Sequence, residues 1–360
     1  MLQSSVRASV SEICEGVAKQ IGPVPASSVR SYLQMNTPAL FVREERGQYA
    51  LKGFELSQPA PASKSRVAEA IRFADGRVRL THEDCMALLP SLASNSLEAV
   101  VTDPPYGLIE YSEVEQKKLR TGRGGVWRIP PSFDGSVRAP LPRFTVLTSA
   151  ELLNLERFFY GWGREVLRVL VPGANVVVAS NPLLSHIVSS ALARAGLERR
   201  GELVRLVMTM RGGDRPKGAH SEFSDVSAMP RSQWEPWLLF RKPLEGRLQD
   251  NLRRWKTGGF RRISEERPFG DVIQSAPTRA KERALANHPS LKPQDFMRRV
   301  VRAVLPLGEG TILDPFAGGG STLAAALAVG YCAHGVERDA GYFELASQAI
   351  PRLAALSCDA

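Results

Sequence analysis

Residues 312–322 read Ile-Leu-Asp-Pro-Phe-Ala-Gly-Gly-Gly-Ser-Thr, and this stretch decides the fold that the sequence predicts. A short apolar strand ends at Asp314, three glycines follow, and a helical pattern begins at Leu323. Glycines between a strand and a helix allow the backbone to approach a ligand closely at the helix N-terminus. A second strand is predicted at 331–336, and it leads to Glu337, where a carboxylate can bind ribose hydroxyls.

The glycine loop by itself leaves the identity of the ligand open. Such a loop also fits a dinucleotide, although Asp314-Pro315-Phe316 stand where the dinucleotide fingerprint begins with glycine. No Gly-Lys-Ser or Gly-Lys-Thr sequence closes the loop, which argues against a nucleoside triphosphate site.

Outward from the glycine loop, short apolar strands alternate with helical patterns. The sequence predicts strands at 78–81, 97–101, 175–179, 203–208, 237–240 and 311–313, and helices at 149–170 and 295–305. This alternation predicts an α/β fold with a Rossmann-like, mainly parallel sheet and helices on both faces. Two long stretches lack the pattern, at about 108–148 and 241–290, and loops of that length inside a compact domain are usually functional.

A second motif, Asp103-Pro104-Pro105-Tyr106, closely follows the predicted strand at 97–101. The carboxyl ends of strands in open α/β sheets are where ligands bind. The lone pair of an aromatic amino group is delocalised into its ring, and acceptors for both amino hydrogens would redirect it towards a methyl donor. Asp103 offers a carboxylate and Pro104 a carbonyl for this purpose. The prolines stiffen the loop, and Tyr106 offers a stacking face for a base rotated out of a duplex.

The two motifs in this order resemble the amino-methyltransferases of DNA, in the group called beta. The resemblance covers roughly residues 75–350. In that group the catalytic motif precedes the cofactor loop, and a target-recognition region lies between them. The resemblance implies a methyltransferase fold that depends on S-adenosyl-L-methionine as its cofactor and needs no metal.

The resemblance also implies roles for individual residues. The catalytic residues would be Asp103, Pro104, Pro105 and Tyr106. Asp84 would meet the cofactor adenine, and Lys292, within residues 287–293, would lie near the methionine carboxylate. Residues 234–242 match a late strand of the sheet with a structural role. The remaining cofactor contacts would be Asp314, Phe316, Gly318, Gly320, Ser321, Thr322 and Glu337.

The net charge of +10 favours a polyanionic partner, and its distribution is uneven. Residues 241–302 contain sixteen Arg or Lys against seven Asp or Glu, as expected of a surface that contacts backbone phosphates. In the target-recognition region at about 241–290 we expect DNA contacts from Arg253, Arg254, Trp255, Arg261 and Arg262. The stretch at 108–148 is expected to clamp DNA near the flipped base through Arg120, Arg123, Trp127 and Arg128.

Residues 1–56 read as a separate small unit. The sequence predicts helices at 6–20 and 29–35 and a hairpin with strands at 41–43 and 48–51. Ser27 and Ser28 are expected to cap the second helix. The unit resembles the winged-helix domain fused to restriction and chromatin proteins, which implies an extra DNA contact or a docking site for a protein. Residues 57–74 are predicted to be a linker, and the methyltransferase domain is expected at 75–350.

The sequence therefore predicts a site-specific methyltransferase that flips a base out of duplex DNA. Asp103 as the first residue of its motif favours adenine N6, whereas Gly107, where adenine enzymes commonly have Asn, keeps cytosine N4 open. A C5-cytosine enzyme would need a nucleophilic cysteine after a proline, which no cysteine of this chain provides. A protein-glutamine enzyme would have Asn at position 103. A remoter alternative is a winged-helix DNA-binding protein without catalytic activity.

The expected partner is double-stranded DNA, and the order of the motifs favours DNA over RNA. A cognate restriction endonuclease and a homodimer fit the family, although the sequence contains no dimer signature. We expect a cytoplasmic protein with free thiols, no membrane span and no metal site, because long apolar runs and clustered metal ligands are absent from the sequence.

Overall fold

The computed structural model of the chain describes residues 8–22, 24–35, 37, 41–45, 47–51, 69–108, 147–207, 215–216 and 218–358. The chain divides into two compact units, Met1–Val67 and Ala68–Ala360. Each unit has its own cluster of buried apolar side chains.

The first unit combines two helices with a three-stranded antiparallel sheet of order β1-β3-β2. Its elements are β1 (Ala8–Ser9), α1 (Val10–Ile21), α2 (Ala26–Met35), β2 (Phe41–Glu45) and β3 (Gln48–Leu51). The predicted hairpin is present as the β2–β3 pair. That this unit is a winged helix stays a prediction.

Both helices of this unit begin elsewhere than the sequence predicted. Helix α1 begins at Val10 because Ser9 and Glu12 form a capping box: the Glu12 N–H donates to Ser9 Oγ (3.2 Å) and the Ser9 N–H donates to Glu12 Oε2 (2.7 Å). Helix α2 begins at Ala26, so Ser27 and Ser28 lie in its first turn and do not cap it.

The second unit is a nine-stranded sheet of order β10-β8-β9-β7-β6-β11-β12-β5-β4. Its strands are β4 (Ala70–Phe73), β5 (Val78–His82), β6 (Leu97–Thr102), β7 (Leu170–Ala179), β8 (Glu198–Leu206), β9 (Trp234–Arg241), β10 (Val272–Gln274), β11 (Thr311–Asp314) and β12 (Cys332–Glu337). Its helices are α3 (Cys85–Leu88), α4 (Ser149–Val169), α5 (Ser185–Arg194), α6 (Leu248–Trp255), α7 (Ala280–Leu285), α8 (Gln294–Val304), α9 (Ser321–Val329) and α10 (Ala340–Ala354), and a short 3₁₀ turn spans Leu89–Ser91.

This sheet is buried on both faces. In β6, Ala99 and Val101 pack on the face covered by α8 and α9, whereas Val100 packs on the opposite face beneath α4. Successive side chains of a strand point to opposite faces, so a strand covered on both sides is apolar throughout. The predicted α/β fold with a Rossmann-like sheet between helical layers is confirmed.

The five central strands β7, β6, β11, β12 and β5 are mutually parallel. Their carboxyl ends therefore lie along one edge of the sheet, here called the carboxyl edge, and the opposite edge is called the amino edge. Strand β9 runs antiparallel to β7, with Trp237 opposite Ala179 and Arg241 opposite Asn175. The chain thus enters β9 at the carboxyl edge and leaves it at the amino edge.

The predicted linker at 57–74 is too long at its end. Residues 70–73 form β4, which pairs antiparallel with β5 as an edge strand. Ile71 and Phe73 alternate inwards onto the core and hold the strand in place. At the other end of the unit, α10 continues past residue 350 to Ala354.

The target-recognition stretch at 241–290 is not irregular, because it contains α6, β10 and α7. Its fold is fixed by buried contacts that local sequence patterns do not reveal. The fully buried Asn251 side chain donates to the carbonyls of Pro172 (3.0 Å) and Thr257 (2.8 Å). The rings of Phe260 and Phe269 stack 5.8 Å apart.

Among the described residues, every helix is too short or too polar to cross a bilayer. The same residues contain no grouping of His, Cys, Asp and Glu suited to a metal ion.

Candidate active site

The glycine loop between β11 and α9 requires glycine at the positions where the sequence has it. Gly320 adopts a φ of +82°, and a Cβ there would lie 2.6 Å from Ile350 Cγ1. A Cβ on Gly319 would lie 2.9 Å from Cβ of His288. Any side chain would therefore displace either α10 or the segment that precedes α8.

Glu337 ends β12 and holds this loop. Its carboxylate is buried and accepts the N–H of Gly318 at 2.8 Å through Oε2 and the N–H of Asp339 at 2.8 Å through Oε1. Burial raises the pKa of Glu337, partly offset by these backbone donors. Each carboxylate oxygen has a second lone pair, so hydroxyl donors of a ligand could still be accepted.

Asp314 joins the two predicted halves of the site. Its buried Oδ1 accepts the hydroxyl of Thr102 at 2.7 Å and the N–H of Phe316 at 3.2 Å. Burial raises the pKa of Asp314 to about 6, and the hydroxyls of Thr102 and Thr322 act in the opposite direction. Because Thr102 ends β6, this hydrogen bond ties the strand before the catalytic motif to the glycine loop.

The other predicted cofactor residues surround the same loop. The ring of Phe316 lies 6.1 Å from that of Trp162. The Ser321 hydroxyl accepts the backbone N–H of Lys292 at 3.1 Å. Asp84 follows β5, which pairs with β12, and its carboxylate caps α3 by accepting the N–H of Met86 at 2.7 Å.

The catalytic motif lies at the carboxyl edge, directly after β6. Pro104 is buried, and the Asp103 side chain is 15% exposed, so it remains accessible from the edge. The Tyr106 hydroxyl lies 3.0 Å from Asp103 Oδ1, and the Lys292 ammonium lies 3.1 Å from Asp103 Oδ2. The sequence analysis did not foresee either contact of the Asp103 carboxylate.

Lys292 occupies a different place from the one that the resemblance implied. Its buried ammonium lies between two carboxylates, 3.1 Å from Asp103 and 2.6 Å from Glu235. Burial lowers the pKa of Lys292, but the two carboxylates outweigh this effect and raise it above its usual value. The ammonium is therefore directed to the catalytic carboxylate and not to a separate subsite.

Glu235 is a site residue that the sequence analysis missed. It is 4% exposed, and its carboxylate meets four donors: Lys292 (2.6 Å), Tyr106 (2.9 Å), Arg205 (2.9 Å) and the Trp237 indole (3.3 Å). Burial would raise its pKa, but Lys292 and Arg205 together hold it well below the usual value. The available signal was a glutamate within the apolar stretch 234–240, since an unpaired charge in a buried strand is costly.

The structure does not bring the predicted DNA contacts of 241–290 to the catalytic motif. Helix α6, with Arg253, Arg254 and Trp255, is anchored at the start of β7 by Asn251. The Arg261 guanidinium donates to the Tyr331 hydroxyl at 2.6 Å, just before β12, and the carbonyl of Arg262 accepts from Arg302.

All five residues therefore lie at the amino edge. The reason is the direction of β9, whose eight residues carry the chain roughly 25 Å away from the carboxyl edge. The chain comes back along β10, which is parallel to β8 and ends opposite Leu206. The other predicted contacts, Arg120, Arg123, Trp127 and Arg128, lie outside the described residues, as does the clamp apart from its ends.

Comparison with known proteins agrees with this geometry. Residues 97–348 match the family model of the N6 and N4 DNA methylases, and the chain belongs to this family of DNA methyltransferases. The type II methyltransferase M.HindIII of Haemophilus influenzae is 24% identical over 291 residues, which are 74% of this chain and 92% of the relative.

Two solved structures illustrate the likeness of the fold. The PvuII DNA methyltransferase, a cytosine-N4-specific enzyme, superposes with a TM-score of 0.50 at 13% identity over 78% of this chain and 86% of its own. A protein of Thermus thermophilus described as a DNA modification methylase, complexed with S-adenosyl-L-methionine, has a TM-score of 0.47 at 22% identity over 76% and 92% of the two chains.

Proposed function

We propose that this DNA methyltransferase transfers a methyl group from S-adenosyl-L-methionine to N6 of adenine at a specific site in duplex DNA. One observation carries the proposal. Asp103 and the glycine loop follow adjacent parallel strands at the same edge, and the Thr102–Asp314 hydrogen bond locks the two strands together. A base presented to Asp103 and a cofactor held by the loop would therefore be neighbours.

The residues present fit the cofactor. The glycine loop leaves no room for side chains at Gly319 and Gly320, so its backbone is exposed to a ligand on the free side. Glu337 retains acceptor capacity for ribose hydroxyls, and α9 begins at Ser321 directly after the loop. When bound, S-adenosyl-L-methionine supplies a methyl group on a sulfonium, which is already a good leaving group.

The protein then has mainly to position the target amine. The Asp103 carboxylate and the Pro104 carbonyl would accept the two amino hydrogens, which localises the nitrogen lone pair. The Tyr106 ring, whose hydroxyl is held by Asp103 and Glu235, would stack against the flipped base. Asp103 is also the nearest acceptor for the proton that the methylated amine must lose.

The preference for adenine rests on Asp103 as the first residue of the catalytic motif. Gly107, where adenine enzymes of this kind commonly have Asn, is the observation that favours cytosine N4 as the second candidate. Both bases present the same amino geometry to a carboxylate and a carbonyl, so the mechanism is common to both.

DNA would approach the carboxyl edge, because the catalytic carboxylate opens there. The described residues 218–233, which lead into β9 at that edge, expose Phe223, Val226 and Met229, each at least 45% accessible. Large apolar side chains of this kind can wedge between bases. The small N-terminal unit would add further DNA contacts, as its resemblance to winged-helix domains implies.

The test is to incubate the purified protein with tritiated S-adenosyl-L-methionine and mixed genomic DNA, then to identify the labelled nucleoside. Label on N6-methyladenine supports the proposal, and label on N4-methylcytosine reverses the choice of base. The Asp103→Asn variant should lose at least about 100-fold in rate, whereas Asp250→Asn on α6 at the amino edge should match the wild type. Absence of label from all DNA while the cofactor binds would overturn the proposal.

A further inference from the structure

Beneath the catalytic motif lies a buried cluster of four charges and one hydroxyl. Two carboxylates, Asp103 and Glu235, face two cations, Lys292 and Arg205, and the Tyr106 hydroxyl lies among them. The formal charges of the cluster cancel. Buried ion pairs lose much solvation energy, so such a cluster is weak evidence for stability and invites a functional explanation.

Donors and acceptors in this cluster are unequally distributed. The Tyr106 hydroxyl has one hydrogen but two carboxylate oxygens within reach, at 3.0 Å on Asp103 and 2.9 Å on Glu235. The Lys292 ammonium is nearer to Glu235 (2.6 Å) than to Asp103 (3.1 Å). Glu235 thus competes with Asp103 for both donors.

This competition matters for what Asp103 must do. A carboxylate that is to accept the hydrogens of a target amine needs lone pairs that are not already saturated. Without Glu235, Lys292 and Tyr106 would both turn to Asp103 as their remaining carboxylate. The amine would then have to displace a charge-assisted hydrogen bond, which is among the stronger kinds.

The cluster also reaches the cofactor side of the site. The backbone N–H of Lys292 donates to Ser321 Oγ, and the Gln294 side chain donates to the Ser321 carbonyl at 3.0 Å. Ser321 is the first residue of α9, directly after the glycine loop. The position of the Lys292 ammonium is therefore set from the cofactor loop at one end and by Glu235 at the other.

We propose that Glu235 is a positioning residue for methyl transfer, which draws Lys292 and the Tyr106 hydroxyl away from Asp103 and leaves its oxygens free for the target amine. The inference rests on the proposed function, because it assigns Glu235 a part in the reaction carried out at Asp103. Glu235 itself does not touch the base or the cofactor.

The variant Glu235→Gln removes the charge and keeps the shape. We expect its single-turnover methyl transfer to fall by about 100-fold, the cost of a slightly misplaced reacting group. Its Kd for S-adenosyl-L-methionine should change by less than about threefold, since Glu235 makes no contact with the glycine loop. Glu235→Asp, which keeps the charge, should recover part of the rate. The control Glu98→Gln removes a half-buried carboxylate at the amino end of β6 and should match the wild type.

The dependence of the rate on pH separates a positioning role from a merely structural one. The charged and titratable groups that face Lys292 are Asp103, Tyr106, Arg205, Glu235 and His288, and burial together with Lys292 lowers the pKa of His288 to about 4. Glu235→Gln removes one of the two carboxylates that raise the pKa of Lys292. Its rate should therefore decline at a lower alkaline pH than that of the wild type.

A double variant tests the route through Lys292. If Glu235 acts mainly through this lysine, Glu235→Gln should change the rate of a Lys292→Gln protein by no more than about twofold. The doubly substituted cluster is again neutral, so it also serves if Glu235→Gln alone does not fold. Equal rates and pH profiles for Glu235→Gln and the wild type would overturn the inference, as would fully multiplicative effects in the double variant. A wild-type protein that methylates no DNA would instead overturn the proposed function on which it rests.

Discussion

At the scale of single residues, the least expected property is the carboxyl group of Asp314. It is buried between two strands, and burial raises its pKa to about 6 although three protein groups donate to it. A group whose pKa is higher in the folded than in the unfolded chain binds more protons when folded. The folded state is therefore weakened as the pH rises from about 4 to about 6, and it stays weakened above that range.

The variant Asp314→Asn should remove this loss. Its amide oxygen can accept from Thr102 and Phe316, and its NH₂ can donate to the Thr322 hydroxyl. We expect its free energy of unfolding to exceed that of the wild type by about 2 kcal/mol at pH 7 and by nearly nothing at pH 4. Denaturant unfolding across that pH range measures the difference. Parallel stabilities at every pH would contradict this account, and Asp225→Asn, an exposed site, supplies the control.

At the scale of elements, the direction of one strand decides where the basic segment lies. Strand β9 is antiparallel to its neighbours, so the chain that follows it starts at the amino edge. Arg253 and Arg254 are 75% and 64% exposed there, and each pairs with an acidic side chain, Asp250 and Glu245. Exposed pairs of this kind contribute little to stability and leave the surface less basic than the sequence indicates.

We therefore expect Arg253→Gln with Arg254→Gln to leave DNA affinity and its salt dependence unchanged. The matched pair Arg215→Gln with Arg231→Gln, in the segment that joins β8 to β9, should weaken binding and lower the salt slope by about 1 for each phosphate that the arginines no longer neutralise. Fluorescence anisotropy with a labelled duplex at several salt concentrations distinguishes the two pairs. A reduced salt slope for the α6 pair would restore the amino edge as a DNA surface.

At the scale of the whole molecule, the chain consists of two units with separate cores. The catalytic motif, the glycine loop, Glu235 and Lys292 all belong to Ala68–Ala360. This unit buries its apolar strands on both faces with its own helices, so its core does not depend on side chains of the first unit.

A protein comprising residues 68–360 should fold, bind S-adenosyl-L-methionine as tightly as the full chain, and methylate DNA at a similar rate when DNA is saturating. Its KM for DNA should rise if the first unit contacts DNA as proposed. Calorimetry for the cofactor and steady-state kinetics for DNA measure the two effects separately. Loss of cofactor binding on truncation would show that the large unit is not self-sufficient.

The sequence alone determined the fold class, the catalytic motif and the glycine loop, because each is written in contiguous residues. Apolar strands, glycines that need positive φ and an Asp-Pro-Pro-Tyr turn act through local conformation and local chemistry, so their meaning does not depend on distant partners. The order of the motifs along the chain was enough to indicate the family, and the family comparison confirmed it.

Only the tertiary structure decided which way β9 runs and what meets at Asp103. Lys292 lies 57 residues from Glu235 and 186 residues from Tyr106 in the sequence, yet their polar atoms are within hydrogen-bonding distance. Strand pairing sets such contacts, since it brings strand ends together regardless of their separation along the chain. For the same physical reason a basic segment that looked like a DNA surface in the sequence lies at the opposite edge of the sheet from the catalytic carboxylate.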